Sequence, residues 1–212
     1  QWEGATGASL AVLAGHTSGI LGVQVLADGR ILSWSSNGTL RLWDLATGAS
    51  LAVLEGHTHE IQGVQVLADG QSLSWSSNGV LRLWDLTTGA SLAVLEGHTG
   101  GILGVQVLAD GLILSWSSDG TLRLWNLATG ASLAVLEGHT GRIRGVQVLA
   151  DGLILSWAED KTLRLWEGMT GASLAVLEGH TGGIQGVQVL ADGRLLLWAE
   201  DKTLRLWEGM TG

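Results

Sequence analysis

The apolar positions of this chain come in short runs, with neither a long alternation nor a helical stripe. Val23-Gln24-Val25-Leu26, Leu40-Arg41-Leu42-Trp43 and Leu51-Ala52-Val53-Leu54 all lack clean apolar–polar alternation. A sheet with one wet face alternates, whereas strands covered on both faces need not. Between the runs lie turn pairs. Asp-Gly stands at 28–29, 69–70, 110–111, 151–152 and 192–193, and Asn-Gly or Asp-Gly at 37–38, 78–79 and 119–120. Thr-Gly follows at 47–48, 88–89, 129–130 and 170–171. Such pairs favour tight turns because they tolerate positive φ. The pattern predicts strands at Ile20–Leu26, Ile31–Ser36, Thr39–Trp43 and Ser50–Leu54 in the first full unit. Asp160-Lys161 and Asp201-Lys202 replace the second turn in the last two units, which predicts a slightly different loop there. With a turn roughly every ten residues, a repeat built from helices finds no room.

The same text then returns. Gly15-His16, Gly56-His57, Gly97-His98, Gly138-His139 and Gly179-His180 are spaced 41 residues apart. A fixed period of this length marks a repeat architecture whose units share a continuous core. Many short, evenly spaced strands, in sheets each covered by a neighbour, describe an all-β propeller. We therefore expect 1–212 to form a single propeller unit with repeats 15–55, 56–96, 97–137, 138–178 and 179–212, the last completed by a strand within 1–14.

Composition narrows the chemistry. There is no Cys, so thiol and disulfide chemistry are excluded. Eleven Lys and Arg against 20 Asp and Glu leave a net charge of −9. That charge opposes attraction to nucleic-acid phosphates and to anionic membranes, so neither is an expected partner. No apolar run nears the roughly 18 residues a spanning helix needs, and a soluble chain is expected. Gln1-Trp2-Glu3-Gly4 carries no basic stretch followed by an apolar one, so no leader is read there.

With Gly-His at the start of each unit and Trp43-Asp44 and Trp84-Asp85 at the end of the third strand, every unit resembles the WD40 repeat. Later units read Trp125-Asn126, Trp166-Glu167 and Trp207-Glu208. The resemblance implies a WD40-type β-propeller of five four-stranded antiparallel blades. It also implies a buried hydrogen-bond chain of His, Ser, Asp and Trp in each blade. By position these are His16, Ser33, Asn37 and Trp43, then His57, Ser74, Asn78 and Trp84. The third blade supplies His98, Ser115, Asp119 and Trp125, and the fourth His139, Ser156, Asp160 and Trp166. Asn37 and Asn78 keep an acceptor but lose the charge, so weaker links are expected there. The fifth blade offers His180, Asp201 and Trp207, with Leu197 where Ser belongs. Trp34, Trp75, Trp116, Trp157 and Trp198 stand where the family usually has a small residue; we expect them to fill space between blades.

The sequence starts with the end of a third strand and stops before a fourth, so Ser9–Leu13 is expected to complete the last blade. In one chain this closes a tight five-bladed ring. Between two chains it gives a homodimer that closes a ring by strand exchange. We expect the dimer, because five blades crowd the first strands, with Leu21, Val23, Gln24, Val25 and Leu26, at the centre.

A His, a Ser and an Asp in each unit could suggest hydrolysis. Catalytic sets are not repeated five times, so no enzyme is expected, and no cofactor or metal either. His59 is the one His outside the pattern. The informative variation lies just after Gly-His-Thr, where the family resemblance implies an exposed top face that binds proteins or peptides. The candidates are His59, Glu60, Gln62, Arg142, Arg144 and Gln185, with the two arginines as the best anchors. The resulting reading is a non-catalytic scaffold for protein–protein interaction or self-assembly. A lectin-like propeller using the second-strand indoles and an amplified or engineered building block without a ligand are the alternatives.

Overall fold

The computed structural model describes residues 11–208, which hold 19 strands in five antiparallel sheets. The first sheet is β1 (Ile20–Val25), β2 (Arg30–Ser35), β3 (Leu40–Asp44) and β4 (Ser50–Leu54), paired in that order. The second is β5 (Ile61–Val66), β6 (Gln71–Ser76), β7 (Leu81–Asp85) and β8 (Ser91–Leu95). The third is β9 (Ile102–Val107), β10 (Leu112–Ser117), β11 (Leu122–Asn126) and β12 (Ser132–Leu136), with a 3₁₀ turn at Ala109–Gly111. The fourth is β13 (Ile143–Val148), β14 (Leu153–Ala158), β15 (Leu163–Glu167) and β16 (Ser173–Leu177). The fifth has three strands among the described residues, β17 (Ile184–Val189), β18 (Leu195–Ala199) and β19 (Leu204–Trp207).

The strand predicted over Ser9–Leu13 is not seen where it can be examined. Residues 9 and 10 lie outside the described residues, and 11–14 carry no strand. Nothing among the described residues therefore completes the fifth sheet.

Contacts divide the chain into two compact units. One holds Gln1–Ser76 with Arg82–Leu92, and the other Ser77–Leu81 with Ala93–Gly212. Within the first unit, Leu32, Leu40 and Leu54 of the first sheet pack on Ile61 and Trp84 of the second. Within the second unit, Leu114, Leu122 and Leu136 pack on Ile143 and Trp166, and Leu155, Leu163 and Leu165 pack on Ile184. The second and third strands of each of the first four sheets are covered on both faces, which is why their sequences do not alternate, whereas the fourth strands keep side chains such as Leu51 and Val53 exposed, contrary to the covering expected of Leu51–Leu54.

Two local devices fix each sheet. The first is a β-bulge in the opening strand: pairing of β1 with β2 slips between Ile20 and Gly22, leaving Leu21 as the extra residue. The slip recurs around Gln62, Leu103, Arg144 and Gln185. The second is a Gly–Trp pair. Gly22 lies opposite Trp34, and a Cβ there would sit 2.1 Å from the indole. The ring lies over the bare backbone of its neighbour strand, and only glycine leaves it room. Trp34, Trp116 and Trp157 also border the cores between sheets, which is the space-filling role expected of them.

The lysine turns are not different loops. Lys161 and Lys202 adopt φ of 72° and 65°, and Gly38, Gly79 and Gly120 adopt 84°, 86° and 82° at the same place. The closing bond is conserved as well, Gly38 N to Ser35 O at 3.2 Å and Lys161 N to Ala158 O at 3.3 Å. The turn is imposed by the strands it joins, and each lysine accepts a left-handed backbone at a cost of roughly 1–2 kcal/mol.

Candidate functional site

The second strand of a sheet directs Ser to the face where the third strand places its Trp. The loop before the first strand brings His above both. In the third sheet Trp125 Nε1 donates to Ser115 Oγ at 2.8 Å, and Ser115 Oγ lies 2.8 Å from His98 Nε2. His98 Nδ1 lies 3.0 Å from Asp119 Oδ2. That carboxylate also accepts from Thr99 N, Thr121 N and Thr121 Oγ1, at 2.8, 2.9 and 2.7 Å. Burial keeps His98 neutral at ordinary pH, and for the neutral ring the consistent assignment puts its proton on Nδ1, toward Asp119, with Ser115 donating to Nε2. The fourth sheet repeats this chain through Trp166, Ser156, His139 and Asp160, all at 2.8 Å.

In the first sheet Trp43 and His16 meet Ser33 at 2.8 and 2.7 Å. Asn37 does not reach the imidazole. Its oxygen accepts from Thr39 and its amide nitrogen donates to Thr17 Oγ1. An NH₂ group stands where Asp119 and Asp160 hold their second oxygen, so His16 Nδ1 is left with Thr39 Oγ1 at 3.3 Å. In the second sheet Val80 replaces that Thr, and His57 Nδ1 is buried with no hydrogen-bond partner. The fifth sheet keeps His180 Nδ1 on Asp201 at 2.8 Å. Leu197 supplies no hydroxyl, so His180 Nε2 and Trp207 Nε1 are both orphaned.

Charge follows geometry. Burial, with the Arg82 charge added, lowers the His57 pKa to about 4. Burial also lowers His98 and His139, but Asp119 and Asp160 oppose it by favouring the cation. Burial works to raise Asp119, yet bonds from Thr121 and Thr99 and the nearby His98 hold it below the usual carboxylate range. Asp201 is held well below that range too, chiefly by the Thr203 hydroxyl.

A Ser–His–Asp chain at these distances matches a nucleophile, its base and an orienting carboxylate. It lacks access. Ser74, Ser115 and Ser156 are fully buried and each already accepts an indole N–H. The cleft between the third and fourth sheets, about 400 Å³, is lined by apolar residues such as Leu108, Leu124, Ile154 and Met169, with no titratable group lining it among the described side chains. It opens where Gly168 replaces the leucine that, as Leu86, fills the core between the first two sheets. No group of three potential metal ligands occurs among the described residues, and no helix there is long and apolar enough to cross a membrane.

The variable residues lie elsewhere. Gln62, Arg144 and Gln185 are the bulged residues of their strands, and a bulge re-aims its side chain. His59, Glu60, Gln62 and Arg142 are exposed. Arg144 is bound to Glu200 at 2.7 Å and to Glu159 at 3.2 Å, and Gln185 donates to Glu200 at 3.1 Å. Arg144 and Gln185 therefore clasp the fourth and fifth sheets through one carboxylate. Sequence reasoning missed this clasp and the threonines that close on the carboxylates. The signals were Glu159 and Glu200 in place of Ser, and Thr39, Thr121, Thr162 and Thr203 at one position of the period. It also missed the role of Gly in Gly-His: Arg82 lies over Trp84 at 5.8 Å, and a Cβ on Gly56 would meet its guanidinium at 2.8 Å.

A family model described as "WD domain, G-beta repeat" matches residues 7–44, 48–85, 89–126, 130–167 and 171–208. Each match ends with the third strand of a sheet, so the unit 48–85 supplies β4 to one sheet and β5–β7 to the next. No curated protein matches the chain. Among solved structures, the computationally designed Ika8 protein is 30% identical over 91% of this chain, with a TM-score of 0.71. The computationally designed Ika4 protein is 29% identical over 74% of this chain and 95% of its own, with a TM-score of 0.61. The WD40 β-propeller domain of Doa1 shares the fold at 24% identity over 92% of this chain, with a TM-score of 0.64. The chain spans 59% of Ika8 and 66% of the Doa1 domain. With five repeat matches along nearly its whole length and sheets to go with them, the chain belongs to the WD40-repeat family.

Proposed function

We propose that this chain is a non-catalytic scaffold that works through protein–protein contact, in the first place with copies of itself. One observation carries the reading: the His, Ser and Asp groups with reactive potential are buried within their sheets, while the residues just after Gly-His-Thr, which differ from repeat to repeat, lie at exposed positions. Among those positions Arg142, Gln62, His59 and Glu60 are available to a protein or peptide ligand. Arg144 and Gln185 are engaged within the chain and serve it less well. The designed relatives fit the alternative of a building block without a selected ligand. A lectin-like role is disfavoured, because the second-strand indoles rest on glycines of the adjoining strand.

Among the described residues the fifth sheet ends at β19, and in the proposed assembly a strand from Ser9–Leu13 of a second copy pairs with that strand, giving the homodimer by strand exchange. Light scattering at micromolar concentration tests this: twice the single-chain mass is expected, and a stable monomer removes self-assembly. For a ligand, peptides selected from a random display library on the chain should bind at least tenfold more weakly to Arg142→Ala. Unchanged binding across Arg142→Ala, Gln62→Ala and Glu60→Ala would remove these positions as the contact.

A further inference from the structure

Residues of one kind, at one position of the repeat, are buried in most sheets and exposed in the first or in the fifth. Ile61, Ile102, Ile143 and Ile184 open their sheets at no more than 1% exposure, whereas Ile20 is 57% exposed. Val23 and Val25 beside it are 60% and 64% exposed, and Val187 is 9%. At the other terminus Leu204 is 68% exposed, where Leu40, Leu81, Leu122 and Leu163 are at 0%. Leu206 is 51% exposed against 5% for Leu165, and Trp198 is 40% exposed. Side chain and strand are the same in each comparison, so the difference lies in the neighbour.

Packing between sheets has a direction. The earlier sheet offers leucines of its second, third and fourth strands, as Leu155, Leu163 and Leu177 do. The later sheet offers the Ile and valines of its first strand and its third-strand Trp, as Ile184, Val187, Val189 and Trp207 do. The first and second sheets meet the same way, as do the third and fourth. Every such seam joins a leucine face to an isoleucine–valine face. The bare surface of the fifth sheet, with Trp198, Leu204 and Leu206, is a leucine face. The bare surface of the first, with Ile20, Val23 and Val25, is an isoleucine–valine face.

We propose that these two surfaces bind each other between copies, the fifth sheet of one chain docking on the first sheet of the next. The partner is a second copy because the two surfaces are the two halves of a seam the chain already builds within itself. The rim agrees: a Cβ on Gly183 would lie 3.3 Å from the backbone of Glu159, and Gly19 and Glu200 hold the corresponding positions at the new seam. Such a contact is head-to-tail, so each copy uses a different surface. This rests on the self-assembly reading and adds the surfaces that carry it: strand exchange at β19 does not hold two copies together without this face-to-face contact.

Two variants separate the surfaces. Val23→Glu closes one and Leu204→Glu the other, and both residues are exposed, so the fold should hold by circular dichroism. If either fails to fold, Val25→Glu or Leu206→Glu replaces it. The wild type is expected to exceed the single-chain mass by light scattering, and each variant alone to fall to it. An equimolar mixture is expected to regain a one-to-one dimer, because it holds one intact surface of each kind. A monomeric wild type would overturn the proposal together with self-assembly. An oligomeric wild type whose variants still assemble alone, or whose mixture stays monomeric, would overturn the proposal and leave assembly through the β19 edge standing.

Discussion

The second and third sheets are nearly identical in sequence, yet their histidines live differently. His98 has a partner on both nitrogens, from Ser115, Asp119 and Thr121. His57 is equally buried and has Ser74 alone. Two substitutions, Asn78 for Asp119 and Val80 for Thr121, account for the difference. The fifth sheet errs in the opposite sense: it keeps the carboxylate and loses the serine, so its His and its Trp both lack a partner below. The lesson is that a repeat tolerates a broken polar chain when the apolar packing around it is retained, since a hydrogen bond contributes about 1 kcal/mol and a buried indole two or three times that.

The third and fifth sheets should differ most in stability at their indoles. Trp125→Ala should destabilise by about 3–5 kcal/mol in urea denaturation, because the ring is fully buried and its N–H is bonded. Trp207→Ala should cost roughly 1–2 kcal/mol, since that ring is half-buried and its N–H unpaired. Equal losses would mean that the third and fifth sheets do not differ as described.

Acid comes next. His57 binds a proton at about pH 4 when folded and near 6.5 when unfolded, so the unfolded state holds more protons in between. Stability present above pH 6.5 is therefore lost as pH falls toward 4, by up to about 3 kcal/mol from this residue. Asn78→Asp should shrink that loss by giving the imidazolium a carboxylate, as Asp119 does for His98. Denaturation midpoints across this window, with and without the substitution, check the sign.

Asp119→Asn turns the third sheet into the type of the first and should cost about 2 kcal/mol, the worth of a charge-assisted bond. Val80→Thr restores an oxygen near His57 Nδ1 and should stabilise by roughly 1 kcal/mol or less. A Val80→Thr variant that is destabilised by more than that would mean the pocket has no room for the hydroxyl.

Much of this was legible in the residues. Turn pairs placed β1–β4 to within one residue, because Asp-Gly, Asn-Gly and Thr-Gly punctuate the chain wherever a strand must reverse. The histidine chains followed from the family pattern, and the gap at Leu197 was visible as a missing hydroxyl. What could not be read was what depends on neighbours in space. Lys161 looks like the mark of another loop, yet the strands force it into the backbone of a glycine. Arg144 looks like a free anchor, yet Glu159 and Glu200 hold it. Leu163 and Leu204 share one sequence context, and only one of them has a sheet to pack against.

These histidines are structural links whose state is set by the sheet they sit in. Nitrogen-detected NMR titration of the imidazoles tests this most directly. The account predicts His98 and His139 as Nδ1–H tautomers and His57 titrating near pH 4. An Nε2–H tautomer at His98, or a His57 midpoint near 6.5, would contradict it.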